Sequence, residues 1–428
     1  MPNPKIDLSA LVRLQHRRRD AAARAGGSAG GSALTEVTDF GSNPGALRMM
    51  VHVPADLPRG APLVVALHGC TQNAAAYDAG CGWSSLADRL GFAVLLPEQQ
   101  RSNNHSLCFN WFEPGDIARG GGEAMSIRQM VAQMTETHAI DPSRVFVTGL
   151  SAGGAMTAVM LATYPEVFAG GAIIAGLPYG AGLGVAEALR AMSRIPHLGA
   201  AERGAAVRAA ASHRGAWPRV SVWHGGADTT VVPDNAEESV KQWLDLHGLT
   251  AARPVTEAAA PGDTHLTWRH RDGRIMVESH RIAGMSHGVP LRPGEGGGRA
   301  GVAGAYMLDV GISSSHAILG FWGIDDTAAA RPQPAQAHAA AEDRPAAEAA
   351  PRAEKAARPA PAPAPAGAKV FPPLPIQARR PASNSTQGPV TRMPGKASAE
   401  DDGPLFSGPG ATIVRALRAA GLMGTGRD

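Results

Sequence analysis

The middle of the chain alternates short apolar runs with segments of helical periodicity. The apolar runs occupy residues 47–53, 63–67, 92–96, 145–147, 172–175, 220–223 and 275–282. Segments of helical character lie between them, at residues 83–89, 123–138, 154–163 and 235–247. Near-continuous apolar strands that alternate with helices are typical of a mostly parallel central sheet with helices on both faces. The sequence therefore predicts an α/β fold, with residues 47–53, whose alternation is clearest, as an edge strand.

Two insertions interrupt this alternation. Residues 99–122 are polar and glycine-rich and follow a predicted strand, which is typical of a surface loop. Residues 177–217 also follow a strand and are rich in alanine. This second insertion predicts helices that cap a site above the sheet.

Composition separates this body from its flanks. Residues 327–428 hold 16 of the 34 prolines, long alanine runs and few β-branched or aromatic residues. Such a segment cannot bury enough apolar surface to offset the entropy of ordering. The chain is therefore predicted to contain a basic N-terminal segment with a Gly/Ser linker (1–32), a globular domain (33–326), a disordered Ala/Pro-rich linker (327–403) and a short amphipathic helix (404–428).

Charge is distributed in the same way. Residues 1–25 carry 6 basic and 2 acidic side chains, and residues 327–428 carry 13 and 8, which leaves 21 basic and 27 acidic side chains between them. The net charge of +3 at pH 7 thus comes from the flanks. The acidic excess of the body argues against nucleic-acid binding.

The length and position of the apolar stretches predict the location of the protein. None reaches the length of a membrane span, and the N-terminus shows no apolar core typical of a signal peptide. These features predict a cytoplasmic protein. The 3 cysteines do not make a disulfide framework, and nothing in the sequence specifies an oligomeric state.

The segment RVFVTGLSAGG, residues 144–154, carries the clearest chemical signal. A β-branched strand leads into a GxSxG sequence centred on Ser151 and then into a helix-compatible stretch, which is the context of a nucleophile elbow. Glycines are needed on both sides because side chains there would crowd the adjoining strand or helix. Ser151 is therefore the candidate nucleophile, and a serine in an ordinary tight turn is the alternative.

A serine hydroxyl needs a base and an acid, which follow it in the order Ser, Asp, His in this kind of motif. Asp228 lies on the loop beyond a predicted strand, where ligand-facing groups gather in a parallel sheet. Asp234 competes with it, but Asp234 precedes a helix and N-capping explains it more simply. His287 lies in a Gly-flanked loop after the strand at 275–282, whereas His280 lies within that strand. Asp228 and His287 are the candidate acid and base.

Acyl transfer also needs two backbone donors for the developing oxyanion. The amide of Ala152 directly follows the nucleophile, and the amide of Cys70 lies in the loop after the strand at 63–67. His68 in that loop is interpreted as a structural residue. No spaced cluster of His, Cys or carboxylate residues indicates a metal, and this chemistry requires no cofactor.

Several motifs occur in one order along the chain. They are HGCTQ (68–72), CFNWF (108–112), RGGGEAMSI (119–127), VTGLSAGGAMT (147–157), IAGLPYG (174–180), HGGADTTVVPDN (224–235) and GMSHG (284–288). Together they resemble the poly(3-hydroxybutyrate) depolymerase family of esterases, a neighbour of the feruloyl and acetylxylan carbohydrate esterases. The resemblance spans residues 47–322 and implies an α/β-hydrolase fold with Ser151, Asp228 and His287 as the catalytic triad.

The same resemblance bears on the substrate cleft. It implies that Trp111 and the neighbouring Asn110 contact the ester, while packing under a long loop explains Trp111 equally well. In similar proteins, cysteines at the positions of Cys70 and Cys108 are able to pair, which braces the oxyanion loop. Many members of the family are extracellular, and that location is the alternative to the cytoplasm.

These features predict a serine-dependent carboxylic ester hydrolase. Its partner is an ester substrate, a hydroxyalkanoate polymer or oligomer or a short-chain ester, cleaved through a Ser-His-Asp triad and an acyl-enzyme. A feruloyl or acetylxylan-type carbohydrate esterase is the alternative within the same chemistry. The non-enzymatic alternative is a protein whose tail tethers it to a granule or another partner.

Overall fold

The predicted alternation of strands and helices is present in the computed structural model, which describes residues 34–324. The strands are β1 (Thr35–Val37), β2 (Arg48–His52), β3 (Leu63–Leu67), β4 (Ala93–Glu98), β5 (Val145–Leu150), β6 (Gly170–Ile174), β7 (Arg219–Gly225), β8 (Val255–Thr256), β9 (Asp263–Arg269), β10 (Ile275–Ile282), β11 (Val289–Leu291) and β12 (Met307–Asp309). The helices are α1 (Ala74–Cys81), α2 (Trp83–Leu90), α3 (Pro114–Ile117), α4 (Gly122–Thr137), α5 (Ala152–Thr163), α6 (Val185–Ser193), α7 (Ala200–Ala210), α8 (Asp234–Leu246) and α9 (Ser314–Trp322). Within this part of the chain, no helix has both the length and the apolar composition that crossing a membrane requires. The predicted segments 1–32, 327–403 and 404–428 lie outside the described residues.

Strands β1 to β10 form one sheet in the order β1-β2-β4-β3-β5-β6-β7-β10-β9-β8. The central strands from β4 to β10 run parallel, and the strands added at either end are antiparallel. Strands β11 and β12 form a separate parallel pair. Because parallel strands end at the same edge of a sheet, the loops that follow β3, β5, β7 and β10 all leave from that edge.

Side chains of the central strands alternate between two cores, one on each face of the sheet. In β3, Val65 and Leu67 belong to one core, whereas Val64 and Ala66 belong to the other, and all of them are buried. Helices α4, α5 and α8 contribute to the first core, and helices α1, α2 and α9 contribute to the second. The prediction of a mostly parallel sheet with helices on both faces is confirmed.

Local chemistry explains where helices α1 and α2 begin and end. The side chain of Asn73 caps α1 by accepting a hydrogen bond from the Ala76 amide at 2.8 Å. Gly82, with a φ of 74°, ends α1 in the left-handed conformation and lets α2 begin directly after it. The two helices therefore turn sharply on one glycine.

Two predictions about position were wrong. Residues 47–53 do not form the sheet edge, because the short strand β1 pairs with β2 on its outer side. Residues 99–122 are only in part a surface loop, because Phe109, Trp111 and Phe112 are buried and join the first core. The insertion at 177–217 does form helices, α6 and α7, as predicted.

Candidate active site

Ser151 lies in the sharp turn between β5 and α5. Its φ of 56° is in the left-handed region, and its amide donates to the Ile174 carbonyl 2.9 Å away. The adjoining glycines have no room for a side chain. A Cβ on Gly149 would lie 2.4 Å from the Gly153 oxygen, and a Cβ on Gly153 would lie 2.2 Å from the Leu67 oxygen. The turn therefore has the backbone geometry of a nucleophile elbow.

His287 and Asp228 are joined by a hydrogen bond. His287 follows β10 and Asp228 follows β7, and Nδ1 of His287 lies 2.7 Å from Oδ2 of Asp228 in buried surroundings. An ionised carboxylate only accepts, so Nδ1 donates and Nε2 is left as a proton acceptor. Ser151 and His287 line one small cavity, so the three predicted residues converge on one site.

The Asp228 carboxylate is surrounded by donors. Its Oδ1 accepts from the amides of Thr230 at 2.8 Å and Val231 at 3.0 Å, and its Oδ2 lies 3.3 Å from Nε2 of His224. Burial alone would raise the pKa of this carboxyl. Hydrogen bonds from His224 and His287 outweigh burial and lower the pKa of Asp228 below its usual range. Asp228 is therefore ionised at neutral pH.

The two competing candidates are directed elsewhere. Asp234 is the first residue of α8, and its carboxylate pairs with His197 at 3.3 Å. The N-capping role predicted for Asp234 was wrong, because Pro233 occupies that position and no side chain among the described residues caps α8. His280, within β10, forms a 2.8 Å hydrogen bond with Asp263. Neither residue contributes to the pair formed by His287.

His224 is a site residue that the motifs do not predict. It lies in β7 and is buried, and its Nε2 is 2.8 Å from the Val231 carbonyl oxygen. The same nitrogen lies 3.3 Å from Asp228, so one N–H links the strand to the loop that carries the acid. The sequence signal for His224 is its place directly before the glycine pair in HGGAD, residues 224–228.

Two backbone amides are available to an oxyanion. The amide of Ala152 begins α5, and that of Cys70 follows β3. Among residues 34–324, neither amide donates a hydrogen bond to a protein acceptor. Both residues line the cleft that contains Ser151. Unpaired amides at a helix N-terminus and in a neighbouring loop can stabilise a developing negative charge.

The oxyanion loop is braced from the insertion that follows β4. A disulfide joins Cys70 to Cys108, the pairing that the resemblance implies. The next residue, Thr71, donates its amide to the Ser106 carbonyl at 2.8 Å. These two links tie the loop after β3 to residues 99–122 at adjacent positions.

His68 supports the same loop from the sheet side. Its Nδ1 lies 2.8 Å from the Gly69 carbonyl oxygen, and its Nε2 accepts the Gln99 amide at 3.1 Å. Burial outweighs that bond and lowers the pKa of the imidazole, so His68 is neutral and Nε2 is free to accept. The structural interpretation of His68 is confirmed.

Glu123 anchors the insertion from helix α4. Its buried carboxyl group accepts hydrogen bonds from the Asn110 amide at 2.8 Å, the Gln99 side chain at 2.6 Å and the Asn103 side chain at 3.1 Å. Burial raises the pKa of this carboxyl group to about 8. A buried carboxyl group bound by several donors fixes the backbone that supplies them. The CFNWF segment is therefore held in place beside Ser151.

A cleft of about 500 Å³, part of it open to solvent, contains Ser151. Most of its lining side chains are apolar, and Trp111 is one of them, packed edge-on against Phe112 with ring centroids 5.4 Å apart. Asn110 is absent from the lining among the described residues. Its side chain accepts a hydrogen bond at 2.8 Å from Asn104, which does line the cleft. Substrate contact by Asn110 stays a prediction.

Three potential metal ligands occur together on one face of β9 and β10. His265, Glu278 and His280 each place a ligand atom within 4.8 Å of the others. The two imidazoles stack with centroids 3.9 Å apart and an angle of 17° between planes, so their in-plane lone pairs do not converge. The carboxylate already accepts from Ser221 at 2.7 Å and contacts His265 at 3.1 Å. This arrangement fits a hydrogen-bonded row better than a coordination site.

The chain is similar in sequence to known esterases. A family model described as Esterase PHB depolymerase matches residues 47–265. Poly(3-hydroxyalkanoate) depolymerase C of Paucimonas lemoignei is 50% identical over 293 residues, which cover 68% of this chain and 70% of that protein. Acetylxylan esterase A of Aspergillus oryzae is 33% identical over 296 residues, which cover 67% of this chain and 92% of that protein.

A solved structure shows the same fold. The acetyl xylan esterase from Aspergillus awamori matches with a TM-score of 0.58 and 28% sequence identity, covering 68% of this chain and 99% of that chain. The predicted α/β-hydrolase architecture is confirmed by this match.

Proposed function

This chain belongs to the PHB depolymerase family of esterases and is a carboxylic ester hydrolase, and we propose that it acts through Ser151, His287 and Asp228. The observation that carries the proposal is the 2.7 Å hydrogen bond between His287 and Asp228, next to a serine in elbow geometry. The cavity shared by Ser151 and His287 supports it further. A buried acid that orients a histidine beside a serine is the arrangement that activates a hydroxyl nucleophile.

In the acylation step, Oγ of Ser151 attacks the ester carbonyl carbon while Nε2 of His287 takes the hydroxyl proton. Asp228 stabilises the imidazolium that forms. The amides of Cys70 and Ala152 donate to the carbonyl oxygen as it becomes an oxyanion. The bond to the alcohol oxygen then breaks, and His287 gives the proton to that oxygen. The alcohol leaves and the acyl group stays on the serine.

Deacylation repeats the sequence with water. His287 takes a proton from a water molecule, which attacks the acyl-serine carbonyl and forms a second oxyanion at the same amides. Collapse of this intermediate returns the proton to Ser151 and releases the carboxylic acid. The enzyme is regenerated without any added reactant other than water.

Esters of hydroxyalkanoic acids, as polymer, oligomer or short-chain ester, are the proposed substrates. The 50% identity to a poly(3-hydroxyalkanoate) depolymerase supports them. Acetylated carbohydrate is the second candidate, supported by 33% identity to an acetylxylan esterase. The values of kcat/KM for hydroxybutyrate oligomers and for acetylated xylan, measured on one preparation, distinguish the two candidates.

Replacement of the nucleophile tests the proposal directly. Ser151→Ala should abolish the p-nitrophenol burst with p-nitrophenyl butyrate and lower kcat by about 10⁴-fold or more. Ser212→Ala, at an exposed serine, is the matched control and should keep full activity. Near wild-type turnover in Ser151→Ala would show that another residue is the nucleophile.

The compartment is proposed from the disulfide. A bridge between Cys70 and Cys108 supports maturation in an oxidising environment, because cytosolic thiols are kept reduced. We therefore favour the extracellular alternative over the cytoplasmic location that the N-terminus predicts.

A further inference from the structure

Two cavities share Ser151 and Cys70 as lining residues. The first, named the α6 cleft, is lined by Trp111, Leu177, Val185, Leu189, Met192 and Val231. The second, named the His287 pocket, is lined by Gly69, Gln72, Leu150, His287 and Tyr306. The α6 cleft is the larger of the two, and among its described lining residues His287 is absent.

The chemistry of acyl transfer decides which part of the ester enters each cavity. In the tetrahedral intermediate the carbonyl carbon carries the serine oxygen, the oxyanion, the alcohol oxygen and the acyl chain. The alcohol oxygen must lie next to His287, which donates the proton for its departure. The oxyanion must lie at the amides of Cys70 and Ala152. The acyl chain must then extend into the other cavity, the α6 cleft, which His287 does not line.

We infer that the α6 cleft binds the acyl chain of the ester and that the His287 pocket binds its alcohol. Leu189 and Met192 then limit the length of the acyl chain, and Tyr306 forms a wall against the alcohol. The inference rests on the proposed triad, and it adds the orientation of the substrate. It also adds a substrate class, esters with an apolar acyl chain, because apolar side chains dominate the α6 cleft.

The wall of the α6 cleft is tied to the catalytic loop. The Val232 amide donates to the Met192 carbonyl at 2.9 Å, and the Asn235 side chain donates to the Ala191 carbonyl at 3.0 Å. Both donors follow Asp228 in the chain. Leu189 and Met192 are half-buried and line the cleft. Helix α6 is therefore a fixed wall, and its side chains can discriminate by size.

Tyr306 is positioned against the catalytic histidine. Its ring meets the His287 ring edge-on, with centroids 6.1 Å apart and 81° between planes. Its carbonyl accepts the Val289 amide at 2.8 Å, and a Cβ on Gly288 would lie 2.7 Å from that carbonyl oxygen. The φ of Tyr306 is 63°, an angle that most side chains avoid. Packing therefore holds this ring where an alcohol would leave.

Variants of α6 test the acyl assignment. The p-nitrophenyl esters from acetate to octanoate keep the alcohol constant. In Leu189→Phe, which fills the α6 cleft, we expect kcat/KM for hexanoate relative to acetate to fall about tenfold, since apolar pockets discriminate single methylenes by this order. Met192→Ala enlarges the cleft and should move the optimum to longer chains. Leu183→Phe, at a leucine that is 53% exposed, is the matched control and should leave the chain-length profile unchanged.

Variants of Tyr306 test the alcohol assignment. Butyrate esters of methanol and benzyl alcohol keep the acyl group constant, and titration of the released acid follows their hydrolysis. Tyr306→Ala widens the pocket, so it should raise the benzyl-to-methyl ratio of kcat/KM by about tenfold and leave the acyl profile unchanged. Tyr306→Trp narrows the pocket and should change that ratio in the opposite direction, which keeps the test decisive if the alanine variant folds poorly. Tyr306→Phe retains the ring and should keep the wild-type ratio.

The outcomes separate this inference from the proposed function. If Leu189→Phe changes the alcohol ratio while the acyl ratio stays within about twofold, the substrate lies in the reverse orientation and the inference is wrong. If both ratios stay within about twofold in every variant, neither cavity selects the ester and the inference is again wrong. In both cases the triad stands as long as Ser151→Ala loses its burst.

Discussion

Half of the described non-glycine residues with a positive φ lie at the candidate site. There are eight such residues, and besides Ser151 those at the site are Thr71 (63°), Leu107 (56°) and Tyr306 (63°). The first follows Cys70 and the second precedes Cys108, so both lie beside the disulfide. Each such residue costs about 1–3 kcal/mol and persists only where surrounding contacts fix it. At the scale of single residues, the site is therefore placed by packing.

Gly153, two residues after the nucleophile, should tolerate no side chain. In Gly153→Ala the new Cβ would lie 2.2 Å from the Leu67 carbonyl oxygen, which belongs to the backbone of β3 and cannot move freely. We expect a loss of about 3 kcal/mol in the free energy of unfolding, together with a loss of esterase activity.

Gly320→Ala is the matched control for this change. Gly320 lies in α9, and a Cβ there meets nothing within 4 Å, so this variant should gain up to about 1 kcal/mol. Urea unfolding of both variants gives the comparison. Equal stability of Gly153→Ala and the wild type would refute the steric account of the elbow.

His224 should act on catalysis through Asp228. His224→Phe removes the N–H that lies 3.3 Å from that carboxylate and 2.8 Å from the Val231 carbonyl. Since loss of a hydrogen bond to a charged group costs about 1.5–3 kcal/mol, kcat should fall about 10-fold to 100-fold. The value of KM should change little, because His224 is absent from the described lining of both the α6 cleft and the His287 pocket.

Two further measurements identify His224 as a positioning residue. His224→Gln keeps an N–H donor and should recover part of kcat. Thermal unfolding of His224→Phe shows whether the loss has a general structural origin. An increase in KM at constant kcat would instead place His224 in substrate binding.

At the scale of elements, the inward course of residues 99–122 is the main departure from the predicted fold. Polar and glycine-rich composition correctly indicates a loop after β4, but it does not reveal where the loop packs. The buried carboxyl group of Glu123 and the disulfide at Cys108 hold the segment inward. Both contacts join residues that are separated in the chain, by 13 and 38 positions, so local composition does not predict them.

The disulfide should be detectable and stabilising. Without reductant, the denatured protein should titrate a single thiol, that of Cys81, and with reductant it should titrate all 3 cysteines. A bridge that spans 38 residues should stabilise the fold by up to about 4 kcal/mol in the chain-entropy account, so reduction should lower the urea midpoint. Three thiols titrated without reductant would rule the bridge out.

At the scale of the whole molecule, a row of three stacked rings joins three strands of the sheet. The ring of His280 in β10 lies between the rings of Trp223 in β7 and His265 in β9, with centroid distances of 3.5 Å and 3.9 Å. Burial alone would raise the pKa of Glu278, but hydrogen bonds from His265 and His280 lower it to about 2. Burial alone would lower the pKa of His280, but the carboxylates of Asp263 and Glu278 raise it. Each shift links stability to pH.

The stability of the molecule should therefore depend on pH in two ranges. The contribution of Glu278 is present above its unfolded pKa of about 4.3 and is lost as the pH falls towards 2. The contribution of His280 is complete below its unfolded pKa of about 6.5 and is lost as the pH rises through its raised folded pKa. His280→Gln should thus lower the free energy of unfolding more at about pH 5.5 than at about pH 9. Urea unfolding of both proteins at the two pH values measures the difference, and an equal loss at both would contradict the prediction.

The site itself is assembled by the order of the strands. Ser151, Asp228 and His287 follow β5, β7 and β10, which run parallel, and residues 59 positions apart meet at 2.7 Å. The sequence indicates each residue separately, because each one lies in a short motif just after a strand. Whether the three side chains come close together depends on which strands are neighbours in the sheet.

The sequence by itself determined the alternation of strands and helices, the elbow at Ser151 and the family. The alternation and the elbow depend on local properties, namely apolar runs that must be buried and glycines at which no side chain fits. The family follows from the resemblance carried by several short motifs that occur in one order. Only the tertiary structure decided the link from His224 to Asp228, the inward packing of residues 99–122 and the division of the site between α6 and Tyr306. These features depend on burial and on contacts between distant segments, and the order of the strands sets both.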